Sequence, residues 1–253
     1  MRGPSQAQVK RAVLAVARRA GAEERLREAR AALLPAPLRQ DRADTAHLRR
    51  LVAWRLGPDD DAVDVGAHAG SVLSEIVRAA PAGRHVAFEP LPWLAADLQS
   101  RFPGVDVHAA ALSDARGERE FICPAGNPGW SGFRARPTPD AGEVQTLRVP
   151  VQRLDDVLGD RRPALIKIDV EGAEREVLEG GLGAITEFRP TVVFEHGLGS
   201  ADYYGTRPGD VYELLVARAG LRIFDLDGNG PYTAPGFRQA FDDRTRVNFV
   251  AHP

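Results

Sequence analysis

Ala62-Val63-Asp64-Val65-Gly66-Ala67-His68-Ala69-Gly70, followed after one helix length by His85-Val86-Ala87-Phe88-Glu89-Pro90, is the stretch whose reading decides the fold. A short apolar run, a glycine turn, a helical pattern, a second apolar run and a closing carboxylate outline a nucleoside-binding βαβ unit. An ordinary α/β turn beside an acid is the plainer alternative. A dinucleotide loop needs a middle glycine so that backbone can approach a pyrophosphate, and here His68 stands in that place. That speaks against a nicotinamide dehydrogenase.

Charge narrows the ligand further. Asp64, two residues before the turn, would repel a phosphate dianion and attract an ammonium or a sulfonium. The pattern therefore favours S-adenosylmethionine, which carries both cations and no phosphate. Glu89 falls roughly 20 residues past the first glycine, where a carboxylate accepts hydrogen bonds from both hydroxyls of a ribose.

At 253 residues and 43% hydrophobic content the chain can bury a sizeable core, read as one α/β domain with an N-terminal extension. A formal net charge of −2, with arginines scattered rather than striped, gives no field that would gather nucleic acid. Cys123 is the single cysteine and cannot form an internal disulfide, and no apolar run approaches the roughly 20 residues that span a bilayer. Met1 to Lys10 lacks the apolar core of a signal peptide. The expectation is a cytoplasmic protein with a small-molecule partner and neither nucleic acid nor membrane.

Residues 1–57 read as a helical extension and 58–253 as the α/β domain. Val9, Val13, Val16 and Ala17, then Leu26, Ala29 and Leu33, then Leu48, Leu51, Val52 and Leu56 recur at helical spacing, punctuated by Pro35, Pro37 and Gly57. The extension reads as a cap, as a lid over a pocket, or as a contact between copies in a homo-oligomer.

Beyond residue 62 apolar runs alternate with helical stretches, which implies a doubly wound, mostly parallel sheet. Leu91 to Phe102 reads as a helix and Val105 to Ala109 as a strand. Ala110-Ala111-Leu112 follows, small enough to leave room for a flat ring such as adenine. Residues 117–151 break the rhythm. Two strands flank an irregular loop whose Trp130, Ser131 and Phe133 are candidates for a substrate pocket. The next strand, Leu165 to Val170, places Leu165, Lys167 and Asp169 on one face. A lysine there needs a partner, and Asp169 is the nearest carboxylate. Asp169 and Glu171 fall beyond a strand's carboxyl end, where ligands of open α/β sheets lie. The strand from Thr191 ends in Glu195 and His196, expected at the same edge, and Tyr203 in the following loop is a further substrate-side candidate. A helix over residues 209–219 and two closing strands complete the pattern.

Read together and in order, Asp-Val-Gly-Ala at 64–67, Phe-Glu-Pro at 88–90, Ala-Leu-Ser-Asp at 111–114, Ile-Lys-Ile-Asp-Val-Glu-Gly at 166–172 and Phe-Glu at 194–195 resemble the FkbM-type S-adenosylmethionine-dependent methyltransferases. The resemblance covers about residues 60–200. It implies a class I methyltransferase fold, a seven-stranded Rossmann-like sheet with its last strand antiparallel, and O-methylation of a sugar or other small natural product. It places Asp64, Gly66, Ala67, His68 and Gly70 around the methionine part of the cofactor, Glu89 and Pro90 at the ribose, and Ala111 and Leu112 against adenine. Asp169 and Glu171 would sit near the transferring methyl. An asparagine is more usual in the family where this chain has His68.

A hydroxyl acceptor needs a group to take its proton. His196 is the first choice, because an imidazole titrates near neutrality, with Asp169 as the second. Asp169, Glu195 and His196 could instead hold a divalent cation that lowers the hydroxyl's pKa. A module that binds the cofactor and transfers nothing is the remaining alternative, against which the acids at 169, 171 and 195 argue.

Overall fold

The computed structural model describes residues 35–137 and 140–253. The helices expected over residues 5–34 lie outside the described residues. Helix α1 (Ala36–Arg55) continues through Pro37, which stands in the first turn where no N–H is required. The chain parts into two compact units, 1–46 and 47–253, so the division falls within α1. Among the described residues no helix is long and apolar enough to cross a membrane.

The second unit is built on the strands β1 (Asp61–Val65), β2 (Val86–Phe88), β3 (Asp106–His108), β7 (Pro163–Ile168), β8 (Thr191–Glu195), β9 (Arg222–Asp225) and β10 (Asn248–His252). They form one seven-stranded sheet in the order β3-β2-β1-β7-β8-β10-β9, parallel except for β10, which runs antiparallel to both β8 and β9. This is the doubly wound class expected from the sequence, and its order reverses between β1 and β7. Three further strands, β4 (Ala111–Leu112), β5 (Gly117–Pro124) and β6 (Val144–Gln152), make a separate sheet in the order β4-β6-β5. The break in rhythm after residue 117 is this β5–β6 hairpin and the excursion at its tip.

Alternation along the strands sorts the core into two faces. Val63, Val65, Ile166, Ile168, Val192 and Phe194 point into one cluster, which Phe237 and Phe249 complete. Ala62, Leu165 and Val193 point into the other, covered by Val52 and Leu56 and by Ile76 of helix α2 (Ser71–Ala79). Helix α3 (Pro92–Arg101) follows β2, and α4 (Leu154–Val157) precedes β7. The helices α5 (Glu174–Gly180) and α6 (Leu182–Phe188) fill the crossover to β8. The helix expected at 209–219 is α7 (Pro208–Tyr212), continuing as a π-helix over Glu213–Arg218. Helix α8 (Ala234–Asp242) is not among the elements expected from the sequence. Its signals are a Thr233 hydroxyl that accepts the Gly236 N–H, Pro235 in the first turn, and Phe237, Ala240 and Phe241 at helical spacing.

Candidate functional site

Register assembles the site. Asp64 of β1 lies beside Lys167 of β7, and Lys167 beside Val193 of β8. Two residues further along each strand, on the same face, come Gly66, Asp169 and Glu195. A turn glycine and two acids are thereby brought to the carboxyl edge, at the point where strand order reverses, the usual place for a ligand in an open α/β sheet.

Beneath that edge lies a buried charge. The Lys167 ammonium, its side chain 7% exposed, is 3.2 Å from Asp64 and 3.5 Å from Asp169. It donates to the carbonyl oxygens of Gly66 at 2.7 Å and Val65 at 3.3 Å. Burial pulls the amine down, but Asp64 and Asp169 outweigh it and hold Lys167 above its ordinary value. Burial likewise raises the Asp64 carboxyl, against the pull of Lys167. Asp64 is therefore committed to Lys167 and lies outside the cavity lining, which corrects its expected direct contact with a cationic ligand. Alternation puts it one layer below Gly66.

Gly66 has φ +76°, and a Cβ there would come 1.9 Å from the Asp169 carbonyl oxygen. Only glycine lets the two loops touch. The N–H groups of Gly66 and Ala67 donate to Phe88, and that of Asp169 to Val65. Glu89 is 4% exposed. One of its oxygens accepts the His68 N–H at 2.7 Å and the other the Leu91 N–H at 2.9 Å. Burial raises this carboxyl, and both N–H bonds oppose the rise.

Above these loops is a cavity. Gly66, His68, Glu89 and Pro90 line it, as do Ala111 and Leu112, Ser131 and Phe133 of the excursion, and Asp169 and Glu171. Ten of the residues singled out in the sequence thus meet around one space. Ala67 and Gly70 do not line it. Gly70 starts α2 with φ +74°, and a Cβ there would lie 2.6 Å from Leu98. Trp130 stands outside the lining under the guanidinium of Arg136, at 4.8 Å. Tyr203 is 41% exposed and also outside it, so its expected substrate contact passes to no tyrosine of the lining. Its neighbour Tyr204 instead accepts the Phe133 N–H at 2.9 Å, and burial pushes its phenol up to about 12.

The carboxylates of Asp169, Glu171 and Glu195 all lie within 4.8 Å of one another. Glu171, at φ +61°, is ion-paired with Arg136. Burial, then the charges of Asp169 and Glu174, push the Glu195 carboxyl well above the usual range, with Arg136 pulling the other way. Glu174 is 1% exposed and accepts the N–H groups of Val170 and Gly172 at 3.1 Å each, shaping the turn that carries Glu171. Burial pushes Glu174 up to about 7. Sequence reasoning passed over Glu174, Tyr204 and Arg136. An acid at the first position of a helix, two residues after a glycine, could have flagged Glu174. Arg136 carries no local signal.

His196 is not part of this group. It follows the same alternation as Phe194, so its ring is fully buried, stacked against Phe237 at 5.6 Å and Phe241 at 4.8 Å. It does not line the cavity, so the expected His196 base, and the cation set of Asp169, Glu195 and His196, are not assembled. Burial holds the imidazole down at about 4, against an ordinary 6.5. The folded state therefore excludes a proton that the unfolded chain accepts, and stability falls as pH drops from 6.5 towards 4. The expected loss is about 2 kcal/mol between pH 7 and pH 5. Denaturant unfolding of His196→Phe should lack this part of the loss, and a pH dependence identical to the parent's would refute the assignment.

The profile of the methyltransferase FkbM domain matches residues 64–223, more than half of the chain. The 2-O-methyltransferase NoeI of Sinorhizobium fredii is 30% identical over 159 residues, which are 56% of this chain and 65% of that protein. The AMB antimetabolite synthetase AmbE of Pseudomonas aeruginosa is 29% identical over 238 residues, 75% of this chain but 11% of the synthetase. The chain thus spans less than two thirds of the length of either relative. The crystal structure of a methyltransferase FkbM from Methylobacillus flagellatus KT superposes with a TM-score of 0.49 at 19% identity, covering 79% of this chain and 44% of that one.

Proposed function

The chain belongs to the methyltransferase FkbM family, and from that membership we propose that it transfers a methyl group from S-adenosylmethionine to a hydroxyl of a sugar or other small natural product. The observation that carries the acceptor chemistry is the carboxyl pair of Asp169 and Glu195 beside the cavity. Burial, then the neighbouring charge of Asp169, push the Glu195 carboxyl well above its usual range, so Glu195 is the member of the pair that keeps a proton. Asp169 lines the cavity and is the oxygen base an acceptor hydroxyl would meet.

The donor fits the residues present. Each Glu89 oxygen accepts one backbone N–H and retains a lone pair for a ribose hydroxyl. Phe88, Ala111 and Leu112 offer an apolar wall for a flat ring, and Gly66 presents bare backbone. Bound there, S-adenosylmethionine would supply an electrophilic methyl on a sulfonium that departs as a neutral thioether. The chain's own part is to position the acceptor and to hold its released proton on Asp169. The 2-O-methyltransferase relative supports an oxygen acceptor.

Calorimetry with S-adenosylhomocysteine tests the donor, and transfer of labelled methyl to a panel of glycosides and hydroxylated or amino compounds tests the acceptor. Asp169→Asn should cut transfer roughly 100-fold while S-adenosylhomocysteine affinity changes only a few-fold. No binding would refute the donor, and transfer confined to amines would refute the hydroxyl.

A further inference from the structure

Arg136 sits where three separate segments meet. It belongs to the β5–β6 excursion, is ion-paired with Glu171 from the loop after β7, and donates to the Gly199 carbonyl oxygen, in the loop after β8, at 3.1 Å. Its guanidinium carbon lies over the Trp130 ring, 4.8 Å from the ring centre. The side chain is only 6% exposed. A cation this deeply placed persists because its charge is matched, and the planar fork of arginine can stack on a ring while serving two acceptors, as a lysine cannot.

We propose that Arg136 is a positioning residue of this site: wedged between Trp130 and Glu171, it clamps the excursion to the loops after β7 and β8 and fixes the charge of the carboxylate cluster. This rests on the reading of Asp169 and Glu195 as the proton-handling pair. Five acids stand at or just below the carboxyl edge, Asp64, Asp169, Glu171, Glu174 and Glu195, with two cations, Lys167 and Arg136. Lys167 serves Asp64 and Asp169. Arg136 takes Glu171, and Glu195 is left to hold a proton. Without Arg136, Glu171 adds an unbalanced negative charge beside it. The groups that face Glu195 are Asp169, Glu174 and Arg136, with Glu171 within reach, and among them Arg136 supplies positive charge.

The test needs no acceptor. Carbon-13 NMR of protein labelled at glutamate carboxyls follows the Glu195 titration, assigned by its absence in Glu195→Gln. In Arg136→Met the Glu195 midpoint should rise, the direction expected when an opposite charge facing the group is lost. Arg136→Lys should restore most of it, and Glu171→Gln should move the midpoint down. A midpoint in Arg136→Met equal to the parent's overturns the proposal. Should Arg136→Met fail to fold, the absence of a downward shift in Glu171→Gln overturns it. Calorimetry with S-adenosylhomocysteine on the same samples separates the two claims: failure of the parent to bind refutes the proposed function, whereas the Glu195 shifts decide the role of Arg136.

Discussion

Lys167→Met is expected to cost about 3–5 kcal/mol of folding stability, the penalty for leaving a buried charge without its partner. Methionine nearly fills the volume, so the loss isolates the charge. The Lys167 ammonium serves four oxygens, those of Asp64, Asp169, Val65 and Gly66. Removing it strands Asp64, whose side chain is fully buried. It also frees the Gly66 carbonyl, and with it the turn that lies against Asp169. S-adenosylhomocysteine affinity should therefore fall together with stability. The partner variant sharpens the expectation: Lys167→Met combined with Asp64→Leu removes both charges and should regain much of the loss, because breaking a buried pair costs more than replacing it. Denaturant unfolding of the two variants checks this. A double variant no more stable than Lys167→Met would show that the pair is not the source of the cost.

That same row of residues marks how far the sequence could be read. The apolar runs at 62–65, 86–88, 165–168 and 191–194 each became a strand, because β-branched and aromatic residues bounded by turns leave little choice. Lys167 is legible as a cation in need of a partner. Its principal partner, Asp64, is 103 positions away and becomes its neighbour only through parallel register. Asp169, Glu171, Glu89 and the alanines at 110–111 were legible because a strand's carboxyl end is a fixed place in an open α/β sheet.

The place of His196 follows from strand alternation. Adjacent strand residues point to opposite faces, so Glu195 and His196 could not both join Asp169. Once Lys167 and Val193 are paired, the acid is the one that joins. Arg136 was not legible by any such rule. Its partners Glu171 and Gly199 lie on other loops, and nothing in the pattern around residue 136 distinguishes it from the arginines at the surface.

Glu89→Ala should lower S-adenosylhomocysteine affinity by roughly 30- to 1,000-fold, corresponding to about 2–4 kcal/mol for two charge-assisted hydrogen bonds to a ribose. The structure adds a second effect. The Glu89 carboxylate also accepts the His68 and Leu91 N–H groups, so alanine leaves both without that acceptor and should cost about 1–3 kcal/mol of stability for each group that stays dry. Glu89→Gln separates the two effects. Its amide oxygen can still accept one N–H, which should retain part of the stability, while loss of charge weakens both ribose bonds and its NH₂ faces a backbone donor. Affinity should therefore fall in both variants, and stability should fall more in the alanine. Affinity within about threefold of the parent in Glu89→Ala would mean that the carboxylate only organises the two loops. The ligand would then be held by something other than the acid at the end of β2, and the nucleoside reading of the βαβ unit would lose its main support.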